Sequence, residues 1–257
     1  MGSARGRSLG LPRARRLVLD WLHFCRPTAT IAVERKILIP EVAAARLAAD
    51  PRPGWFAVLL KAYGLAAEAV PDLRRSLLTF PFPRLFEHAS STALVTVERE
   101  LDGDPAVFTY PLKSPESKPL PEIDAELARL KTVPLDEERA FRRALLLLRL
   151  PRPLRRAVMW LGLNVRGSWR QRHFGTFTAS NVAPAGADLV HGLTMLTSFL
   201  SPAAVDPEGA TTLRLFVDHR VIDGAPAARG LVAMEEALRG PIIAELRALA
   251  RPGIIAA

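Results

Sequence analysis

The residues with the clearest chemical capacity are gathered in Asp218-His219-Arg220-Val221-Ile222-Asp223-Gly224. An imidazole titrates near neutrality, so His219 can take a proton from a thiol or hydroxyl and return it within one catalytic cycle. The flanking sequence gives it a rigid mount. Before it, Thr212 to Val217 alternates Leu213, Leu215 and Val217 with Arg214 and Phe216, the period of a strand with a buried face. After Gly224, Ala228, Leu231, Val232, Glu235 and Leu238 recur at helical spacing between Ala225 and Leu238. A histidine and a carboxylate, Asp223, are thus expected on a tight connection between a strand and a helix. A His-x-x-x-Asp pattern also arises by chance in turns that do no chemistry, so the flanks and the rest of the chain carry the discrimination.

The full string resembles the active-site signature of the catalytic domain of dihydrolipoyl acyltransferases, the core subunits of 2-oxo acid dehydrogenase complexes, and more distantly that of chloramphenicol acetyltransferase. The shared pattern is a His, three residues, Asp-Gly and a small-residue helix, here Ala225-Pro226-Ala227-Ala228-Arg229. Gly175-Thr176-Phe177-Thr178-Ala179-Ser180-Asn181 is similar to the family's Gly-Thr-Phe-Thr-x-Ser-Asn strand. Leu59-Leu60-Lys61-Ala62, followed by Pro71-Asp72-Leu73, is similar to its helix and Pro-x-Leu turn. The three motifs stand in the family's order.

The resemblance implies an α/β fold of the chloramphenicol acetyltransferase type: a single lobe with a mixed sheet flanked by helices, over residues 12–257, after a basic disordered tail at 1–11. It implies an acyl group moved between coenzyme A, or another pantetheine or lipoyl thiol, and an acceptor. An acyl-coenzyme A or other acyl thioester is then the substrate. A single lobe must obtain the second wall of its active site from another copy, so a homotrimer with sites between subunits is expected. His219 is implied as the general base and Ser180 as the hydroxyl that donates to the tetrahedral oxyanion. Asp223 is implied as the carboxylate that fixes the catalytic loop by pairing with an arginine of the first helix, for which Arg16 is the candidate beside Arg13 and Arg15. Asn181 and Gly224 are implied as supports of the strand end and the loop. The alternative on the same fold is a non-catalytic trimeric binding scaffold.

The chain departs from the family pattern in two places. The family's Gly-Leu-x-Val-Pro-Val strand is replaced around Ala106 to Leu112, and a Pro-Pro-containing segment is reduced to Leu193 to Pro202, with only Pro202 kept. Nothing in the sequence resembles a lipoyl domain or a small subunit-binding domain. These differences fall on donor recognition, so the reaction class is better specified than the acyl group or acceptor.

With 257 residues and 49% hydrophobic composition, the chain can bury one large core, and one domain is expected. Cys25 is the only cysteine, so neither an intrachain disulfide nor a cysteine-based metal site can form. The remaining histidines, His23, His88, His173 and His191, lack metal-ligand spacing, and no metal is expected. The apolar runs are too short to span a bilayer, and a cytoplasmic location is expected. The net charge of +9 is concentrated: residues 1–16 hold five arginines and residues 139–172 hold ten, with no acid in either segment. That second segment has three readings: a solvated cationic face, a contact for coenzyme A phosphates, or a peripheral membrane element anchored by Trp160, Leu161, Leu163 and Trp169. No nucleic-acid partner is expected, because no recognised binding module accompanies the charge.

The spacing further predicts a helix over Pro12 to Arg26, a strand over Thr28 to Pro40 whose apolar face Arg35 interrupts, and helices at 41–49 and 55–70. A hairpin is expected at 92–112 around Asp102-Gly103, then helices at 122–131, 136–150 and 154–163, and a strand over His173 to Ala179.

Overall fold

The computed structural model describes residues 6–8 and 10–250, so most of the expected tail at 1–11 lies outside the described residues. Six strands form one mixed sheet in the order β1-β8-β7-β6-β4-β5. They are β1 (Thr30–Leu38), β4 (Thr92–Leu101), β5 (Asp104–Lys113), β6 (Phe177–Ala179), β7 (Ser198–Leu200) and β8 (Ala210–Asp218). A separate antiparallel pair joins β2 (Arg75–Leu78) to β3 (Arg84–Glu87). The helices are α1 (Arg13–Cys25), α2 (Pro40–Ala48), α3 (Trp55–Ala69), α4 (Leu120–Thr132), α5 (Arg139–Leu148), α6 (Arg152–Asn164), α7 (Gly167–Phe174), α8 (Gly224–Ala237) and α9 (Ile243–Ala248).

Alternation along each strand separates the two faces of the sheet. Val95, Phe177, Leu213, Leu215 and Val217 point into one large core shared with Leu59 and Tyr63 of α3 and Leu231 and Met234 of α8. On the opposite face Leu94 joins Cys25, Leu163, Met195 and Leu196, with Trp21, Phe24 and Phe174 packed against them. Arg35, which interrupts the apolar face of β1, reaches Glu235 of α8 at 2.7 Å, so an ion pair replaces a hydrophobic contact at that point. The β4–β5 hairpin forms as expected: Asp102 (φ 57°) and Gly103 (φ 83°) both take the left-handed conformation that a two-residue turn between twisted strands requires.

Three expectations need correction. The segment from His173 does not begin a strand, because His173 and Phe174 close α7 and only Phe177–Ala179 pairs. The solvent-facing side expected for β8 is buried as well: Phe216 is fully covered and Arg214 nearly so. Leu163 cannot anchor a membrane contact, since it is buried in the second core.

Candidate active site

His219 follows the last residue of β8, and the turn beneath it is held by backbone and buried polar contacts. The His219 amide donates to the Ala29 carbonyl at 2.8 Å, and the Asp218 amide donates to that of Thr197 at 2.9 Å. The Asp218 carboxylate is buried and accepts a forked pair from Arg220, Nε at 2.8 Å and an Nη at 2.7 Å, together with the Arg220 amide at 3.1 Å. The Val221 and Ile222 amides then close on the Asp218 carbonyl. Asp218 is therefore the residue that shapes this loop.

Among the described residues, only Nδ1 of His219 is engaged. It lies 3.3 Å from the Ile222 carbonyl and 3.2 Å from a carboxylate oxygen of Asp223. Both partners accept, so they favour the tautomer with the proton on Nδ1 and leave the Nε2 lone pair free. Nearly half of the imidazole is exposed. Asp223 occupies the N-cap position of α8 without capping it through its side chain, and it faces His219. The expected pairing of Asp223 with Arg16 is absent in the chain: Arg16 is exposed, and among the described residues it takes part in no ion pair. Among the described residues, a Cβ at Gly224 would meet no atom from elsewhere in the fold within 4 Å.

Ser180 stands at the end of β6, where its amide donates to the Leu200 carbonyl at 3.2 Å. The motif before it is explained locally. Gly175 has φ 86°, and a Cβ there would come within 2.6 Å of the Thr92 carbonyl, which lets β6 start hard against β4. Thr176 bonds Thr92 through both main chain and side chain, and Thr178 reaches Thr194 at 3.0 Å. Asn181 accepts the Ala183 amide at 3.1 Å and turns the chain away from the sheet.

The register separates Ser180 from His219. Ala179 lies opposite Leu200 and Leu200 opposite Leu215, whereas the Asp218 end of β8 meets Thr197. With about 3.3 Å per residue along a strand and about 4.8 Å between strands, five residues along and two strands across put the two residues of one chain roughly 19 Å apart. One chain does not bring them onto the same bond.

Ser180 lines a cavity of about 870 Å³ between the second face of the sheet and α1, α5, α6 and α7. The arginines of segment 139–172 divide into two groups. Arg155 and Arg156 bind the buried Asp20 of α1, and Arg170 is buried, donating to the carbonyls of Leu77, Leu163 and Met195. Burial pushes Arg170 down to about 10. These three are structural, so the solvated-face and phosphate readings do not extend to them. Arg143 and Arg149 remain exposed at the cavity. Sequence reasoning missed Arg170 and Asp20, whose only signal was a charge at a position of the helix that packs inward. Burial also pushes the Cys25 thiol up to about 12, which leaves it unsuited as a nucleophile.

Among the described residues, no cluster of three or more His, Cys, Asp or Glu side chains is arranged to hold a metal ion, and no helix is long and apolar enough to cross a membrane.

No protein-family model and no curated protein sequence matches the chain. Solved structures do. The chain is similar to the dihydrolipoamide acetyltransferase of Azotobacter vinelandii, with 20% identity, a TM-score of 0.67 and 95% of each chain covered. That protein has been investigated for the roles of a serine, a histidine and an asparagine, the last four residues after the histidine, in its catalytic mechanism. The cubic core of a pyruvate dehydrogenase multienzyme complex matches at 18% identity and a TM-score of 0.65, again over 95% of each chain. Chloramphenicol acetyltransferase matches at 17% identity and a TM-score of 0.51, over 89% of this chain and 96% of that one. The chain has the fold that these acetyltransferases share.

Proposed function

We propose that the chain is an acyltransferase that moves an acyl group between coenzyme A, or another pantetheine or lipoyl thiol, and an acceptor, and that it works as a homotrimer with its sites between copies. The observation that carries this reading is the engagement of His219 through Nδ1 alone, which presents a free Nε2 at the edge of a fold used by acetyltransferases.

Nε2 takes the proton from the thiol, and the thiolate attacks the acyl carbonyl. The tetrahedral oxyanion receives a hydrogen bond from the Ser180 hydroxyl. Collapse breaks the bond to the leaving group, which recovers the proton from the imidazolium. Asp223 and the Ile222 carbonyl keep the ring oriented. Because Ser180 and His219 lie at opposite ends of one sheet, the complete site is assigned to Ser180 of one copy and His219 of the next, in a closed ring of heterologous contacts.

Thiol release from acetyl-coenzyme A and short acyl homologues, with a panel of thiol, amine and hydroxyl acceptors, tests the proposal. His219→Ala is expected to lower turnover by about 10²- to 10⁴-fold with unchanged cooperative unfolding. A wild-type protein inert across the panel, or a mutant with full rate, would favour a trimeric scaffold that has kept the fold without the reaction.

A further inference from the structure

The cavity that Ser180 lines has a chemistry of its own. Leu17 and Trp21 of α1, Leu147 of α5, Leu150, Met159 of α6 and Phe174 of α7 make up much of its wall. Water in this largely apolar space of about 870 Å³ finds few polar partners, so an apolar guest is favoured over solvent there. Its size matches that of sites which enclose most of a small ligand. The charged residues of the lining are Arg15, Arg143 and Arg149, with no acid. His173 also lines it and accepts from Arg143 through Nδ1 at 3.3 Å. Burial, with Arg143 and Arg172 close by, pushes the His173 pKa down, which keeps that ring neutral and leaves the arginines as the charges of the cavity. Leu146 and Val158 are about half exposed where the space opens to solvent. An apolar interior, a purely cationic set of charges and a few hydroxyls on the wall, those of Thr96, Thr109, Thr178 and Ser180, suit an amphiphile with a negative polar end and a carbonyl.

We propose that this cavity takes the aliphatic chain of a long acyl group whose polar end is anionic, delivered either as an acyl thioester of coenzyme A or as a free fatty acid. The assignment rests on the acyl-transfer reading only in giving Ser180 the carbonyl; the fit of the chain stands on the cavity itself. Ala144 lines the space from α5 and is half-buried, so a large side chain there shortens it.

Displacement of a fluorescent dansyl-undecanoate probe from the full-length protein, by saturated fatty acids from butanoate to hexadecanoate at low salt, tests the proposal. Affinity is expected to rise roughly three- to fourfold per methylene and to level off once the cavity is filled. Ala144→Trp should move that plateau to shorter chains, and Leu147→Trp serves if the first variant does not fold. Arg143→Gln combined with Arg149→Gln should weaken carboxylates about tenfold and leave fatty alcohols unchanged. Tighter binding of hexadecanoyl-coenzyme A than of hexadecanoate would identify the thioester as the source, and the reverse order the free acid. No saturable binding, affinity independent of chain length, or a plateau unmoved in a folded variant would overturn the proposal. Turnover of acetyl-coenzyme A without chain binding would sink this inference alone, whereas chain binding without turnover of any thioester would sink the acyl-transfer reading.

Discussion

The loop that carries His219 and the helical segment 139–174 sit on one sheet, yet polar contacts lock the first while the second is only partly closed by apolar packing. Around His219 the backbone amides of four successive residues, 219 to 222, have defined acceptors, and the Asp218 carboxylate beneath them takes three bonds from a single arginine residue. In α5 and α6, by contrast, Leu146, Leu154, Val158 and Leu161 remain about half exposed, and a large cavity lies below them. On the proposed function, the difference separates two tasks. A base must be held within tenths of an ångström, which directional bonds achieve, whereas recognition of a hydrophobic chain needs volume and apolar surface.

This contrast can be broken from either side. The largest effect on stability is expected at Asp20, which is almost fully buried on α1 between Arg155 and Arg156 of α6. Asp20→Ala strands the buried Arg155 and should cost about 3–5 kcal/mol in urea unfolding. It should impair binding of long chains more than thiol release from acetyl-coenzyme A, because it detaches a wall of the cavity and leaves the His219 turn intact. Equal loss of both would mean that the two regions are not separate.

A smaller effect is expected at Asp218. Asp218→Asn keeps the shape but removes the charge that Arg220 grips, so unfolding should shift by about 1–3 kcal/mol. Here thiol release should fall while long-chain affinity holds, the opposite of the Asp20 pattern. Unchanged turnover in a folded Asp218→Asn protein would show that the loop needs less polar support than its bonds suggest.

The sequence exposed the two regions unequally, for the same physical reason. The places of His219 and Ser180 at strand ends were legible because a short motif must satisfy several constraints at once, as Gly175 does with its left-handed backbone against the Thr92 carbonyl, while their roles rest on the proposed function. Alternation located β1, β4, β5 and β8, but alternation alone could not reveal that both faces of β8 are covered; that required the segment 189–192 to fold over them, with His191 edge-on to Phe216 and the Leu189 carbonyl accepting from Arg214. The β2–β3 pair escaped notice because four residues a side, split by Pro81 and Pro83, carry too little period. Similarly, β7 has only Ser198–Leu200, and its identity comes from its neighbours β6 and β8. In segment 139–172 the ten arginines left three readings open: a solvated face, a contact for phosphates and a membrane element. The inward-facing Arg155 and Arg170 differ from the exposed ones only in which side of the helix meets the core, which depends on packing remote in sequence.

The central claim is that one complete site needs Ser180 from one copy and His219 from another, and co-refolding of two inactive proteins tests it most directly. His219→Ala chains mixed with an equal amount of Ser180→Ala chains should recover about a quarter of wild-type thiol release, the share of contacts in randomly mixed trimers that join an intact serine to an intact histidine. Mixed trimers verified by mass that remain inactive, or a wild-type protein that turns over acyl-coenzyme A as a monomer, would contradict the shared site.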